Sequence, residues 1–251
     1  MTPGSALLLA AAGFAAGSIN AVAGGGSLVS FPALVASGLT PLAANVTNTV
    51  SVWPGYLGSV AAYRSEIAPQ RQRATALGAT AVAGGAVGSV ILLTAPDAVF
   101  ESIVPVLIVL GCVLLAVQPR VSAVIARRSA AGGRPRTVAL HVAPFCAAVY
   151  GAYFGGGLGV ILLAVLGIFL AEHIQRINGL KSLLSLVINT VALVAFSVFA
   201  PVAWTSVAVV APASLAGGYL GAGVARRLGA TALRWTVIGF GLVVATWLAL
   251  R

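Results

Sequence analysis

The sequence predicts an all-α polytopic membrane protein made of two inverted repeats, each a glycine-tipped helical hairpin followed by three transmembrane helices. Charged residues are 7% of the 251 residues, whereas a soluble domain carries about 25%. Hydrophobic residues reach 60%, and the mean hydropathy is +1.07. The charges are clustered, and the runs between them hold the roughly 20 apolar residues that a helix needs to cross about 30 Å of hydrocarbon. These observations exclude an ordinary soluble fold.

Pro, Gly and charged clusters divide the chain into ten apolar segments. We predict a helix or half-helix near residues 5–23, 27–37, 43–62, 74–94, 98–117, 138–153, 158–171, 180–199, 202–225 and 230–250. The most polar interval lies between the fifth and sixth segments and is rich in Arg. The sequence therefore predicts an N-terminal repeat at 1–118, a basic linker at 119–137 and a C-terminal repeat at 138–251.

The two halves resemble each other around two glycine triplets. Gly24–Gly26 matches Gly155–Gly157 at an offset of 131 residues (155 minus 24). The same offset aligns two pairs of polar residues, Thr47 with Asn178 and Ser51 with Ser182. Glycine accepts positive φ and costs about 1 kcal/mol inside a helix, so each triplet favours a sharp turn. We predict that two half-helices meet there near mid-membrane; whether the hairpin arms cross the bilayer fully stays open.

The basic residues predict the orientation, because loops rich in Lys and Arg face the cytoplasm. With the Arg-rich linker inside, successive loops alternate between basic and non-basic, and every basic residue except Arg251 falls on the cytoplasmic side. Both termini are then outside the cytoplasm. The first hairpin enters from outside and the second from the cytoplasm, so the repeats are predicted to be inverted.

Interrupted helices between inverted repeats are typical of secondary transporters, whose substrate lies near the midplane. A helix that begins at a glycine break directs its free N–H groups and the positive end of its dipole at the membrane centre, where an anion is stabilised. Polar donors lie beside both breaks, and Lys181 is the cation nearest a predicted membrane interior. The predicted substrate-binding residues are Gly24, Gly25, Gly26, Ser27, Thr47, Asn48, Ser51, Gly155, Gly156, Gly157, Asn178, Lys181 and Ser182.

Each of these features also has a plainer interpretation. Glycine triplets permit close helix packing, as we expect for Gly13-x-x-x-Gly17, Gly84-x-x-x-Gly88 and Gly217-x-x-x-Gly221. A Ser or Thr hydroxyl also bonds to a carbonyl of its own helix. Lys181 lies near the start of a charge-free run, and a long side chain there also extends to the cytoplasmic surface.

The four acidic residues, Glu66, Asp97, Glu101 and Glu172, all lie at loop or helix-end positions. A cation substrate therefore has no counter-charge in the predicted membrane interior. No His or Cys cluster has metal-ligand spacing, and no catalytic residue, cofactor or metal is predicted. The Arg residues flank apolar segments, which is typical of topology signals and not of a nucleic-acid interface. The predicted partners are the lipid bilayer and a small anion.

The motifs also resemble those of the TauE/SafE family of sulfite exporters and sulfonate-related permeases, along nearly the whole chain. The resemblance is carried by Gly13–Gly17, Gly24–Pro32 and Ala43–Asn48 in the first half and by Gly155–Gly157, Arg176–Ser182 and Gly217–Gly221 in the second. It implies a bacterial inner-membrane transporter of small sulfur-containing oxyanions or organosulfonates. No motif distinguishes one such anion from another.

We therefore expect a secondary transporter that carries sulfite or an organosulfonate across the cytoplasmic membrane by alternating access, with the anion held between the two glycine hairpins. A passive anion channel shares these features, and a non-transport membrane protein is a further alternative. An enzyme is not expected, because the apolar runs hold no constellation of acid, base and metal-binding groups. The oligomeric state stays open, with a homodimer as one option, as do the direction and the coupling of transport.

Overall fold

In the computed structural model, residues 2–22, 24–129, 137–170, 172–228 and 230–250 are described, with side chains except at 22, 128, 129, 137 and 221–234. This part of the chain is helical and holds no strand. Its helices are α1 (Pro3–Val22), α2 (Ser27–Ala36), α3 (Pro41–Ala62), α4 (Arg64–Ile67), α5 (Arg71–Thr94), α6 (Asp97–Ser129), α7 (Thr137–Tyr153), α8 (Leu158–Phe169), α9 (Ile174–Phe199), α10 (Trp204–Leu228) and α11 (Ala230–Ala249).

Each of the ten predicted segments coincides with a helix, which confirms the all-α fold. Two polar stretches are helical as well. One is α4 with the 3₁₀ turn Ala68–Gln70, and the other is the end of α6, which continues to Ser129 instead of ending near residue 117. Pro119 lies inside α6, and the Ala and Arg residues after it favour continuation of the helix. Residues 130–136 of the predicted linker lie outside the described residues.

The described helices include four that are long and apolar enough to cross a membrane: Pro3–Ala21, Arg64–Thr94, Asp97–Arg127 and Ile174–Phe199. The second arms of the two hairpins are shorter, since α2 has 10 residues and α8 has 12. At 1.5 Å per residue, such helices cover only about half of a hydrocarbon core of about 30 Å. The protein is therefore a polytopic membrane protein with two short half-helices.

The helices of the two halves make matching contacts. α1 packs on α10 as α7 packs on α5, and α3 packs on α10 as α9 packs on α5. The half-helix α2 contacts α11 as α8 contacts α6. All of these contacts join one half to the other, as do those of α3 with α9 and of α6 with α11, which pair helices at matching positions. This correspondence is what a repeat of five helices in each half requires.

The central helices α3 and α9 run in opposite directions. Trp53 Nε1 donates a hydrogen bond to Thr190 Oγ1 at 2.8 Å, which joins the middle of α3 to the C-terminal half of α9. A Cβ atom on Gly179, near the start of α9, would lie 3.2 Å from Ile67 Cγ1, beyond the end of α3. Since α3 and α9 hold matching places in the two halves, this geometry supports the predicted inversion, whose orientation in the bilayer stays a prediction.

Glycines allow helices from the two different halves to approach closely, α1 with α10 and α5 with α7. A Cβ on Gly17 of α1 would lie 2.1 Å from the Ser214 carbonyl oxygen of α10, and one on Gly88 of α5 would lie 2.2 Å from the Val149 carbonyl oxygen of α7. Real Cβ atoms do not approach backbone this closely, so only glycine fits. The close packing predicted for the Gly13-x-x-x-Gly17 and Gly84-x-x-x-Gly88 motifs is confirmed. The side chains around Gly221 lie outside the described residues.

Candidate functional site

The two glycine loops begin with the same turn and differ at their third glycine, where Gly26 has φ −61° and Gly157 has φ +79°. Gly24 has φ +81° and Gly155, its counterpart, has φ +77°. The Gly24 N–H donates to the Ile19 carbonyl at 2.8 Å, and the Gly155 N–H donates to the Tyr150 carbonyl at 3.4 Å. Both bonds span five residues. Positive φ is readily accessible to glycine, so the first residue of each triplet ends the first arm of its hairpin.

The tips of the two hairpins touch each other. The Gly159 N–H of α8 donates a hydrogen bond to the Gly24 carbonyl at 3.0 Å. A Cβ on either glycine would lie 2.4 Å from the Cα of the other. The two hairpins therefore meet backbone to backbone, a contact that the sequence did not predict, and it leaves no space for an anion between Gly24 and Gly159.

Several N–H groups at the start of the half-helices already have protein partners. In α8, the Gly159 N–H bonds to Gly24 and the Val160 N–H to the Gly157 carbonyl at 2.9 Å. At the start of α2, the Gly26 N–H donates to Asn20 Oδ1 at 2.8 Å. In this conformation these donors stabilise the crossing of the hairpins, and anion binding by the triplets themselves stays a prediction.

The predicted side chains divide into two groups. In the first group, Thr47 Oγ1 accepts from the Ala203 N–H, between α9 and α10, at 2.9 Å, and Asn48 Oδ1 accepts from the Ser30 hydroxyl of α2. Ser27 is buried, with its Oγ 4.0 Å from the position of a Cβ on Gly155. The second group has buried polar atoms without a hydrogen-bond partner in the described part of the chain: Ser51 Oγ, Asn178 Oδ1, Lys181 Nζ and Ser182 Oγ.

Lys181 is the most unusual of these residues. It is 1% exposed, and its ammonium group is buried in the protein with no partner among the described residues. The alternative that Lys181 extends to the surface is therefore wrong. A buried charge without a partner is costly, and inside a membrane it is a functional-site hypothesis by default.

Asn178, Lys181 and Ser182 lie on one face of α9. At 100° per residue they fall within an arc of about 100° around the helix axis. Their unpartnered oxygen and nitrogen atoms therefore lie on adjacent turns of one helix. An ammonium, a hydroxyl and an amide, which presents either its NH₂ or its oxygen by rotation, form a suitable donor set for a small oxyanion.

Ser51 and Ser182 are not brought to one point. The Trp53–Thr190 bond fixes the register of the antiparallel α3–α9 pair, so Ser51 lies opposite residues near 192. Ser182 lies ten residues earlier in α9, which is about 15 Å along the helix axis. The predicted residues thus form two half-sites, one at Ser51 and one at Ser182, and the half-site at Ser182 contains the cation Lys181.

Three further residues support the hairpins and were not among the predicted site residues. Asn20 caps the first glycine turn through Gly26, Asn45 Nδ2 donates to the Tyr153 carbonyl at 2.9 Å, and the Tyr150 hydroxyl donates to the Gly156 carbonyl. Asn20 and Asn45 also keep one unpartnered buried atom each, Nδ2 and Oδ1. A polar side chain four or five residues before a triplet is the sequence signal that identifies Asn20 and Tyr150; Asn45 lies far from both triplets in the sequence.

Cavities open at both ends of the helix bundle. Around the start of α3, two adjoining cavities of about 500 and 510 Å³ share Val35, Gly38 and Leu39. At the other end, a cavity of about 380 Å³ is lined by residues that include Gln70, Arg73 and Glu172. The length of α3, 22 residues, separates the two ends by about 33 Å. The hairpin crossing lies between them.

Glu172 joins three elements at the basic end. Its Oε1 lies 3.1 Å from Arg73 Nη1 of α5, and its Oε2 lies 3.1 Å from Arg176 Nη1 of α9. Partial burial raises the pKa of the Glu172 carboxyl, but the hydrogen bonds and charges of Arg73 and Arg176 lower it by more, so the pKa lies below its ordinary value of 4.5. The loop between α8 and α9 is thereby tied to the start of α5.

We expect Glu172→Gln to reduce stability at neutral pH by less than about 1 kcal/mol, because solvent screens these partly exposed pairs. A lowered pKa stabilises the folded state above the ordinary pKa and loses that effect as the pH falls through the folded-state pKa. Unfolding midpoints of the wild type and the variant should therefore differ at pH 7, and the difference should shrink as the pH falls below the ordinary pKa of 4.5. Glu66→Gln, a neighbouring carboxyl without a described ion pair, is the control. A difference that stays constant as the pH falls contradicts the interpretation.

Apolar spans, two broken hairpins and a buried cation define a polytopic helical membrane protein with the architecture of a transporter. The chain belongs to the TauE/SafE family, since the sequence profile described as "Sulfite exporter TauE/SafE" matches residues 9–248. A probable membrane transporter protein of Haemophilus influenzae is 24% identical over 238 residues, which cover 92% of this chain and 89% of that protein. No solved structure matches. Membership of this family supports a general role in membrane transport.

Proposed function

We propose that this protein is a secondary transporter of small sulfur-containing anions, sulfite or organosulfonates, in the bacterial cytoplasmic membrane. The family description supports the substrate class, and the matching contacts of the two halves support inverted repeats that exchange access between the two sides. The basic loops support an orientation with both termini outside and the linker in the cytoplasm.

The observation that carries the proposal is the unpartnered ammonium of Lys181 beside Ser182 and Asn178. An anion bound there supplies the charge and the hydrogen-bond acceptors that the protein does not. The hairpin tips touch at Gly24 and Gly159 in this conformation, which leaves no opening for an anion between these two residues. Transport then requires that the hairpins move relative to each other, so that the anion passes from one half-site to the other.

The test is exchange of labelled sulfite or methanesulfonate by purified protein in liposomes. A transporter shows saturation and faster uptake when the same anion is present on the opposite side, whereas a channel shows no such stimulation. Uptake without stimulation would favour the channel, and absence of any uptake would overturn the proposal.

Removal of a hydroxyl from a half-site should weaken exchange. A hydrogen bond to a charged group contributes about 1.5–3 kcal/mol, so we expect Ser182→Ala to raise the KM for exchange roughly tenfold or more. The matched control is Ser89→Ala on α5, because Ser89 is also buried with an unpartnered Oγ and lies outside the predicted site. Equal KM values for the two variants would exclude Ser182 from the site.

A further inference from the structure

The described interior of the protein contains a single charged side chain. Lys181 is the one charged residue among the buried side chains that the structure describes. The carboxylates of Glu66, Asp97, Glu101 and Glu172 are described, and none of these residues is buried. The interior around Lys181 therefore balances one negative charge.

The second half-site does not repeat this cation. The residue that matches Lys181 in the first half is Val50, 131 positions earlier, which is buried and apolar. The matching hydroxyls, Ser51 and Ser182, are present in both halves, and both are unpartnered. An anion at either half-site meets a neutral hydroxyl, and only one half-site adds a positive charge.

The cost of desolvation makes the half-site with Lys181 discriminate between anions of one and of two charges. Oxyanions with one or two charges form similar hydrogen bonds to Ser182 and Asn178, but only the single charge is fully compensated by the Lys181 ammonium. A second negative charge stays uncompensated in a low-dielectric interior, where isolated charges are strongly disfavoured. The described part of the chain offers no second buried cation to stabilise it.

Resting on the proposed function, we propose that Lys181 makes the site selective for singly charged oxyanions. Organosulfonates whose net charge is −1 and the hydrogensulfite form of sulfite then bind, while sulfate and other dianions of the same shape are rejected. Lys181 is thus a specificity-determining residue as well as a binding residue.

The experiment compares tetrahedral anions of similar size and different charge in liposomes that contain the full-length protein. Labelled methanesulfonate is exchanged in the presence of sulfate, which has two charges, or perchlorate, which has one charge and no methyl group. We expect perchlorate to compete at least tenfold better than sulfate, and methanesulfonate to exchange at least tenfold faster than labelled sulfate. Perchlorate separates the effect of charge from that of the methyl group.

A second measurement follows binding through the unfolding midpoint in detergent, because a bound ligand stabilises the folded state by mass action. Methanesulfonate should raise the midpoint of the wild type more than sulfate does. The same salts with Lys181→Met show the nonspecific effect of each ion. Equal exchange of sulfate and methanesulfonate would overturn the proposed charge selectivity but not the proposed transport function. Competition by sulfate that is as strong as competition by perchlorate would have the same meaning. Absence of exchange of sulfite and methanesulfonate overturns the proposed function itself.

Discussion

Replacement of Lys181 by Met should abolish anion exchange without destabilising the protein. The ammonium is buried and has no partner among the described residues. An apolar side chain of similar length removes a costly buried charge, so the unfolding midpoint should stay unchanged or rise. A bound anion loses its ion pair, a loss of about 3–5 kcal/mol that corresponds to roughly 100-fold weaker exchange or more. Thermal unfolding and liposome exchange on the same preparation measure both effects.

The matched control removes a positive charge elsewhere on α9. Arg176 is exposed and pairs with Glu172, so Arg176→Gln should leave exchange within about twofold of the wild type, as surface pairs contribute little. Two results would contradict the role of Lys181: wild-type exchange by Lys181→Met, or a loss of stability that accounts for the loss of exchange.

Gly159→Ala should destabilise the protein by about 2 kcal/mol or more and stop exchange. The new Cβ would lie 2.4 Å from the Gly24 Cα and 3.0 Å from the Gly24 carbonyl oxygen, and these backbone atoms have no side-chain freedom with which to yield. Overpacking typically costs about 1–3 kcal/mol, and loss of the Gly24–Gly159 hydrogen bond adds about 1 kcal/mol. The unfolding midpoint in detergent and the yield of monodisperse protein measure the effect.

The control for this substitution is Gly78→Ala. Gly78 also lies inside a helix, α5, but no atom lies within 4 Å of its Cβ position. Because alanine is a better helix former than glycine, we expect this variant to match the wild type or exceed it by up to about 1 kcal/mol. Equal stability of the two variants would show that the hairpin tips separate readily, contrary to the close contact.

The apolar segments could be predicted because each is a charge-free run bounded by Pro, Gly or charge. The same reasoning misses α4 and the end of α6, since charged residues and a proline interrupt the apolar pattern there. The turns at Gly24 and Gly155 were predictable from composition and repeat spacing, because positive φ favours glycine at both positions. The hydrogen bond from Gly159 to Gly24 was not, because it joins residues that are 135 positions apart (159 minus 24).

The residues of the candidate site could be predicted from the sequence, but their arrangement in space could be predicted less well. Repeat spacing identified Ser51 and Ser182, and both are buried and unpartnered. Convergence of these two residues on a single site does not follow from spacing, since the antiparallel register of α3 and α9 separates them by about 15 Å. Burial of Lys181 also depends on how α9 is rotated against its neighbours, which a position near a helix end leaves open.

The contact between Gly24 and Gly159 is made by backbone atoms on both sides, so its fit cannot be adjusted in small steps by mutation. No residue is smaller than glycine, and no larger one fits. By contrast, surface side chains such as Val106 and Phe199, which are 65% and 75% exposed, can be exchanged for other apolar residues with little effect on packing. Tolerance to sequence drift is therefore lowest at the centre of the protein and highest at its periphery. A distant homologue that keeps glycine at these two positions can keep the same crossing while most of its surface diverges.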